Sequence, residues 1–374
     1  MFSIFNTLIF NALPQLRQLP QLGTLAFSNK IGTNITIYPR RAQKNLTAII
    51  FFYTFVNKNK QQTLSNVKTL AKLTLFAGLV LGCVCITNCA SAKRGPLKAL
   101  IVTGQNNHNW QVSHKALQLI LEQSDMFVCD IAKTPAKGGD MSSFNPRFEE
   151  YDVVVLDYNG DRWSKQTDEA FLSYVKAGGG VVVYHAADNA FAEWEEFNRI
   201  IALGGWEGRN EKSGPYYYLR DGEVVKDNTP GPGGSHGAQR EYPMNCRNLS
   251  HPITKGLPNG WIHAQDEMYD RMRGPANVKN LLYSGYADPA TGGSGREEPL
   301  IFTVDYGKAR IFHIMIGHCG PSLEENPAMQ CAGFQTLLLR GSEWAATGKV
   351  KQPVPADFPT PESKSLRMDY KAAK

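Results

Sequence analysis

The feature that most constrains this chain is a regular succession of short apolar runs and helical periods from Leu97 to Leu203. Residues 97–103 (LKALIVT) form an apolar run ending in Gly104, as a buried first strand would. Residues 112–123 carry Val112, Ala116, Leu119 and Ile120 at helical spacing. Residues 126–131 predict a second strand. Residues 151–157 (YDVVVLD) predict a third, whose valines suit burial on both faces. Residues 167–177 predict a helix with Thr167 as N-cap, stopped by Gly178-Gly179-Gly180. A fourth strand at 181–184 and a helix at 189–203 complete the series. Strands joined by helical crossovers at this spacing predict an α/β fold, with a mostly parallel, flavodoxin-like sheet and helices on both faces.

The alternation breaks between residues 204 and 247. There Gly208, Gly214, Gly222, the run from Pro230 to Gly234 and three consecutive tyrosines (Tyr216, Tyr217, Tyr218) predict a long loop or small hairpin excursion. Pattern returns at residues 280–285, 300–306 and 309–315, read as added strands, the last two forming a hairpin around Gly307. A helix at 334–346 closes the domain, which spans 97–349. Four prolines (Pro353, Pro355, Pro359, Pro361) then predict a loosely ordered tail at 350–374.

The residues before Leu97 obey different rules. Lys58, Lys60, Lys68 and Lys72 precede an apolar run at 73–86 (LTLFAGLVLGCVCI), and Ala90-Ser91-Ala92 offers a small-x-small cleavage site before Lys93. That order is the signature of an export signal, placed at 63–92. A signal beginning so far along the chain predicts that translation starts near Leu64 or Val67 and that 1–62 is an over-extended start. Cys83 and Cys89 each sit in an approximate lipobox, so the exported protein is expected to be periplasmic or lipid-anchored to a membrane. The apolar run is short for a transmembrane anchor.

Charge bears on partners. The chain has a formal net charge of +6, but residues 1–92 hold nine basic residues and no acidic one, which leaves −3 for the remainder. A nucleic-acid-binding surface therefore has no support from bulk charge. Four cysteines follow the signal (Cys129, Cys246, Cys319, Cys331), at spacings that match no zinc ribbon or redox pair. Cys319 with Cys331 is a possible disulfide, and buried free thiols are the alternative.

In an open parallel sheet, ligands bind at the carboxyl ends of the strands. The first strand ends in a segment containing Asn107, His108 and Trp110. The third ends in Tyr158, Asn159 and Trp163, and the fourth in His185 and Asp188. Asn and Asp are also ordinary turn residues. Polar groups and aromatic faces converging on one edge would suit a sugar, making Asn107, Trp110, Tyr158, Asn159 and Trp163 candidate substrate contacts. His185 stands where class I glutamine amidotransferases place a nucleophilic Cys on a strained elbow, and none of the four cysteines follows that strand. It is a candidate general base or metal ligand. His318 is a candidate for the same edge. His313 reads as core, His251 as a turn residue, His236 as part of the excursion, and His263 lies near Asp266-Glu267. His108, His185 and His318 with Asp188 or Glu267 could bind a divalent metal, though no ligand-spacing motif supports one. No G-x-G-x-x-G opens a helix, so nucleotide binding is disfavoured.

Several landmarks occur in order: Gly104 with His108, Val183-Tyr184-His185-Ala186, Gly204-Gly205-Trp206 followed by Gly208-Arg209, His251-Pro252-Ile253-Thr254-Lys255-Gly256-Leu257-Pro258, Asp266-Glu267-Met268-Tyr269, Glu298-Pro299-Leu300, and the block from Tyr306 to Phe312 with Gly317-His318. Together they resemble the ThuA-like (trehalose-utilisation) family, with Arg209 standing where relatives often carry His. The resemblance implies a fold similar to class I glutamine amidotransferases without their Cys. It also implies a part in using trehalose or related disaccharides through keto-sugars. Two readings follow. One is an exported sugar-processing enzyme, with His185 as acid/base or ligand helped by His108, Asp188, Glu267 and His318. The other is a non-catalytic glycan-binding module using the same edge.

Overall fold

Alternate residues of the central strands point to opposite faces, and each face has its own core. Ala99, Ile101, Val153, Val155 and Val182 pack on one side, Leu100, Val102, Val154, Leu156, Val181 and Val183 on the other. Each such Val, Leu or Ile side chain, removed from water, contributes about 1.5–3 kcal/mol before the cost of ordering it. The computed structural model describes residues 95–372. It also gives the backbone of a separate hairpin, Leu25–Ser28 with Asn34–Ile37, in the unit formed by residues 1–92. That hairpin apart, the expected over-extended start and export signal lie outside the described residues.

The strands are β1 (Leu97–Thr103), β2 (Phe127–Lys133), β3 (Val153–Leu156) and β4 (Gly180–Tyr184), alternating with helices α1 (Trp110–Glu122), α2 (Lys165–Lys176) and α3 (Glu195–Ile201). After them come β5 (Tyr216–Arg220), β6 (Glu223–Asp227), β7 (Ser235–His236), β8 (Arg240–Cys246), β9 (Gly260–Asp266), β10 (Tyr269–Asp270), β11 (Val278–Tyr286), β12 (Glu297–Val304) and β13 (Arg310–Ile314). Helices α4 (Pro327–Gln330) and α5 (Ala332–Thr347) close the fold. The main sheet runs β9-β8-β11-β12-β13-β4-β3-β1-β2. From β13 to β2 every pairing is parallel, in the flavodoxin-like order expected. From β13 to β9 every pairing is antiparallel. Apolar residues of α1 and α5 cover one face, and those of α2 and α3 the other.

Several boundaries differ from the sequence reading. Helix α2 is capped by Ser164, whose hydroxyl accepts from the Thr167 amide, and Thr167 instead donates to the Phe144 carbonyl. The helix expected at 189–203 is only α3, preceded by a 3-10 turn at His185–Asn189. Between them Phe191 and Trp194 turn into an aromatic cluster with Trp163 and Phe197. The excursion is a packed structure built on the β5–β6 hairpin and β7, which pairs with β10. Arg273, fully buried, braces it by donating to the carbonyls of Gly214, Thr229 and Gly231. Arg209 is a similar brace, donating to Asn189, Ala190 and Gly205 carbonyls.

The loosely ordered tail is a further correction. Beyond α5 the chain forms no helix, yet it is docked. Tyr370 and Arg367 are buried, Arg367 forks onto Asp357, and the Ser365 carbonyl accepts from the first residue of α5. All four described cysteines are free thiols, so the possible Cys319–Cys331 disulfide is absent. Among the described residues no helix is long and apolar enough to cross a membrane.

Candidate metal centre at the strand ends

Four of the residues singled out in the sequence meet at one edge of the sheet. His108 follows β1, His185 follows β4 directly, Glu267 follows β9 directly, and His318 lies just beyond β13. Strands β1, β4 and β13 run parallel. Strand β9 is reached from β13 through an even number of antiparallel pairings, so it runs the same way. All four side chains therefore project from carboxyl ends, as the strand-end rule requires. Their ligand atoms lie within 4.8 Å of one another.

Glu267 is the hub. Its carboxylate lies 3.5 Å from His108 Nε2, 3.8 Å from His185 Nε2 and 3.3 Å from His318 Nδ1. Burial would raise the Glu267 pKa, but His108 and His318 hold it far below the ordinary carboxylate range. Each imidazole is oriented by its other contacts. His185 Nδ1 lies 2.6 Å from the Met315 carbonyl, which can only accept, so Nδ1 carries the proton and Nε2 carries a lone pair. His108 Nδ1 faces Asn106 Oδ1 at 3.3 Å, leaving Nε2 toward the centre. His318 Nδ1 is buried and makes no well-aligned hydrogen bond. The backbone of His185 has φ of 44°, a strained conformation for a residue with a Cβ, at the elbow expected from the sequence. Gly317 makes the turn that aims His318. Its φ is 107°, and a Cβ there would lie 2.4 Å from the Phe334 ring.

Two donors bound to one ion at ~2.1 Å each lie at most about 4.2 Å apart, so a small contraction of this cluster would close around a metal. Three imidazoles and a carboxylate suit a first-row divalent ion. Burial, with His108 and His318 nearby, pushes the His185 pKa down to about 3, so the ring is neutral at ordinary pH. That state is an electron-pair donor and a poor proton shuttle.

The other sequence candidates divide. Asp188 is fully buried and faces His313 Nε2 at 3.3 Å, and it is not one of the four grouped residues. Tyr158 and Trp163 are buried in the aromatic cluster beneath the edge, with the Tyr158 hydroxyl donating to the Asp161 carbonyl, so neither ring is free to stack on a sugar. Asn159 donates to Asn107 Oδ1 at 2.6 Å near the rim. Trp110 packs beside His114, with Lys133 over its ring.

Other residues reach the site without having been assigned to it. Tyr269 stacks on His185 with ring centroids 4.5 Å apart, and its hydroxyl lies 3.1 Å from Nε2. Trp206 meets Tyr269 edge-on at 4.8 Å. His236, 38% exposed, approaches Glu267 Oε1 at 3.8 Å from the excursion, beside Gln239. Tyr269 and Trp206 belong to the ordered landmarks, which was a usable signal. His236 had none, because only the β7–β10 pairing carries it to the edge.

The arrangement defines a flavodoxin-like α/β protein whose edge is furnished with nitrogen and oxygen ligands and no nucleophilic thiol. More particularly, the chain belongs to the ThuA (trehalose utilisation) family, whose model matches residues 98–345. It is similar to the crystal structure of a ThuA-like protein from Parabacteroides merdae, with 64% identity and a TM-score of 0.73, over 74% of this chain and 99% of that one. A ThuA-like protein from Bacteroides uniformis is similar over 71% of this chain and 96% of its own, with 22% identity and a TM-score of 0.45. No functionally curated protein gives a significant match.

Proposed function

We propose that this ThuA-family protein is a divalent-metal-dependent enzyme acting on a polyhydroxylated, carbohydrate-derived substrate. The observation that carries the reading is the convergence of His108, His185, His318 and Glu267 on one point. An ion held there acts as a Lewis acid, polarising a carbonyl or lowering the pKa of a bound hydroxyl or water. Family membership supports a disaccharide or a keto-sugar derived from one. Trp206, only partly buried, supplies aromatic surface for a sugar's C–H face, and His236, Gln239 and Asn107 supply polar groups for its hydroxyls. His236, partly exposed beside the cluster, takes the proton-transfer role that burial denies to His185. The sequence of residues 63–92 supports export, followed by release or lipid anchoring, and the mass of the mature N-terminus distinguishes the two.

The test is metal content and turnover together. Natively purified protein is expected to carry a first-row divalent ion. Stripping it should abolish turnover of disaccharides or keto-disaccharides, and re-addition should restore it. A protein that neither retains nor rebinds any such ion overturns the proposal. Retained metal and sugar affinity without turnover on any substrate would favour the glycan-binding alternative.

A further inference from the structure

Beneath the ligand cluster lies a second polar group, enclosed in the core. His263, Asp266 and Cys331 are each at 0% exposure, walled by Tyr242 and Trp261, whose ring centroids lie 5.3 and 5.6 Å from that of His263. Asp266 is the centre. Its Oδ2 accepts from His263 Nε2 at 2.7 Å and from the Gly317 amide at 2.6 Å. Its Oδ1 accepts from the His318 amide at 2.9 Å and the Glu267 amide at 2.7 Å. On its other side His263 lies beside the Cys331 thiol at the N-cap of α5, and its Nδ1 makes no well-aligned hydrogen bond there.

A buried carboxylate without a counter-charge or hydrogen-bond donors is costly. Here three amides and one imidazole satisfy it. All three amides belong to residues that carry, or immediately precede, a ligand of the cluster above. Gly317 has no side chain of its own to hold the turn, and His318 leaves its Nδ1 without a hydrogen bond. Among the described residues, the only anchors that the turn's two amides receive are the two oxygens of Asp266.

We propose that Asp266, backed by His263 and Cys331, is the positioning residue of the site, fixing His318 and Glu267 at the separation a shared ion needs. The proposal rests on the metal reading above. It adds that the site depends on residues that can touch neither the ion nor the substrate. Partners of this kind, which orient ligands from behind, typically change metal affinity about 10–100-fold when removed.

Asp266→Asn and Cys331→Ser, both nearly isosteric, provide the test in the full-length exported domain. Zinc affinity is measured by competition with a chromophoric chelator, folding by thermal melting, and the anchoring by the amide proton shifts of Gly317 and His318. Asp266→Asn is expected to weaken zinc about 10–100-fold in a protein that still melts cooperatively. The two amide protons should move upfield as they lose a charged acceptor. Cys331→Ser, which touches no ligand, should give a smaller loss in the same direction, at least about threefold. Zinc affinity within about twofold of wild type in a folded Asp266→Asn protein overturns the proposal. Should Asp266→Asn fail to fold, Cys331→Ser decides, and unchanged affinity there overturns the relay. Should the wild-type protein bind no zinc or other divalent ion, the metal reading fails by itself. The amide shifts then decide the anchoring separately.

Discussion

His185 donates its Nδ1–H to the carbonyl of Met315 at 2.6 Å, and this bond settles what the other edge of the ring offers. With the proton fixed on Nδ1, Nε2 keeps its lone pair, which meets the Tyr269 hydroxyl at 3.1 Å and lies 3.8 Å from the Glu267 carboxylate. His185→Ala is therefore expected to lower metal affinity at least tenfold and to remove turnover with it. Calorimetric titration of the stripped protein checks the first part, and a folded variant that binds as tightly as wild type refutes the assignment.

Glu267→Gln separates charge from shape. The amide nearly matches the carboxylate in volume but removes the one anionic ligand and leaves three imidazoles around a neutral group. The expectation is loss of metal, together with a lowered melting temperature in the metal-free state, because the contacts of the carboxylate with His108, His318 and His236 lose their charge. Metal analysis and a melt with chelator present give both numbers.

Gly317→Ala adds a methyl where the backbone is left-handed and the Phe334 ring is 2.4 Å from the new atom. Strain of this type costs about 1–3 kcal/mol, and displacement of the ring adds to it. A lowered melting temperature accompanied by weaker metal binding is expected, since the same turn presents His318. A neutral effect on both would mean that the turn is not held as described.

His251 supplies a pH dependence away from the site. Burial pushes its pKa down to about 4, and its Nδ1 accepts from the Ile253 amide at 3.3 Å. The folded state thus holds the ring neutral while the unfolded chain protonates it near 6.5. Its contribution to stability is fully present above pH 6.5 and is lost as the pH falls from 6.5 toward 4. His251→Asn, which keeps an acceptor and does not titrate, should be less sensitive than wild type across that window in chemical denaturation at fixed pH values.

The docked tail gives a purely structural expectation. Tyr370 is buried and its hydroxyl donates to the Leu323 carbonyl. Tyr370→Ala should cost about 3 kcal/mol, by analogy with other large-to-small core changes. Denaturant unfolding measures it, and a change within about 0.5 kcal/mol would return the tail to the loosely ordered state expected from its prolines.

The parallel half of the sheet was legible because its strands are buried on both faces and therefore appear as unbroken apolar runs such as VVVL at β3. The antiparallel extension was harder. Strands β8 and β9 read REYPMNC and GWIHAQD, in which Pro243 and several polar residues obscure the alternation. Their identity depends on cross-strand partners far away in sequence. The four clustered residues could be named from strand ends and landmarks. Tyr158 and Trp163 were misread because a strand-end position does not reveal which way a ring turns. Here Phe144, Phe148 and Phe171 offered these rings more apolar surface than the rim did. Asp266 and His263 stayed silent because their role lies in hydrogen bonds to backbone amides, which no side-chain pattern records.

The four clustered residues span positions 108 to 318, and one of them hangs from the last strand of the antiparallel extension. A chain that has formed only β1 to β4 holds two of the four donors and offers an ion only a two-point hold. The centre comes into being when the two halves of the sheet are zipped together across β13. An ion captured there would act as a latch on finished molecules, tightening as conformational search ends and leaving half-made ones to the proteases.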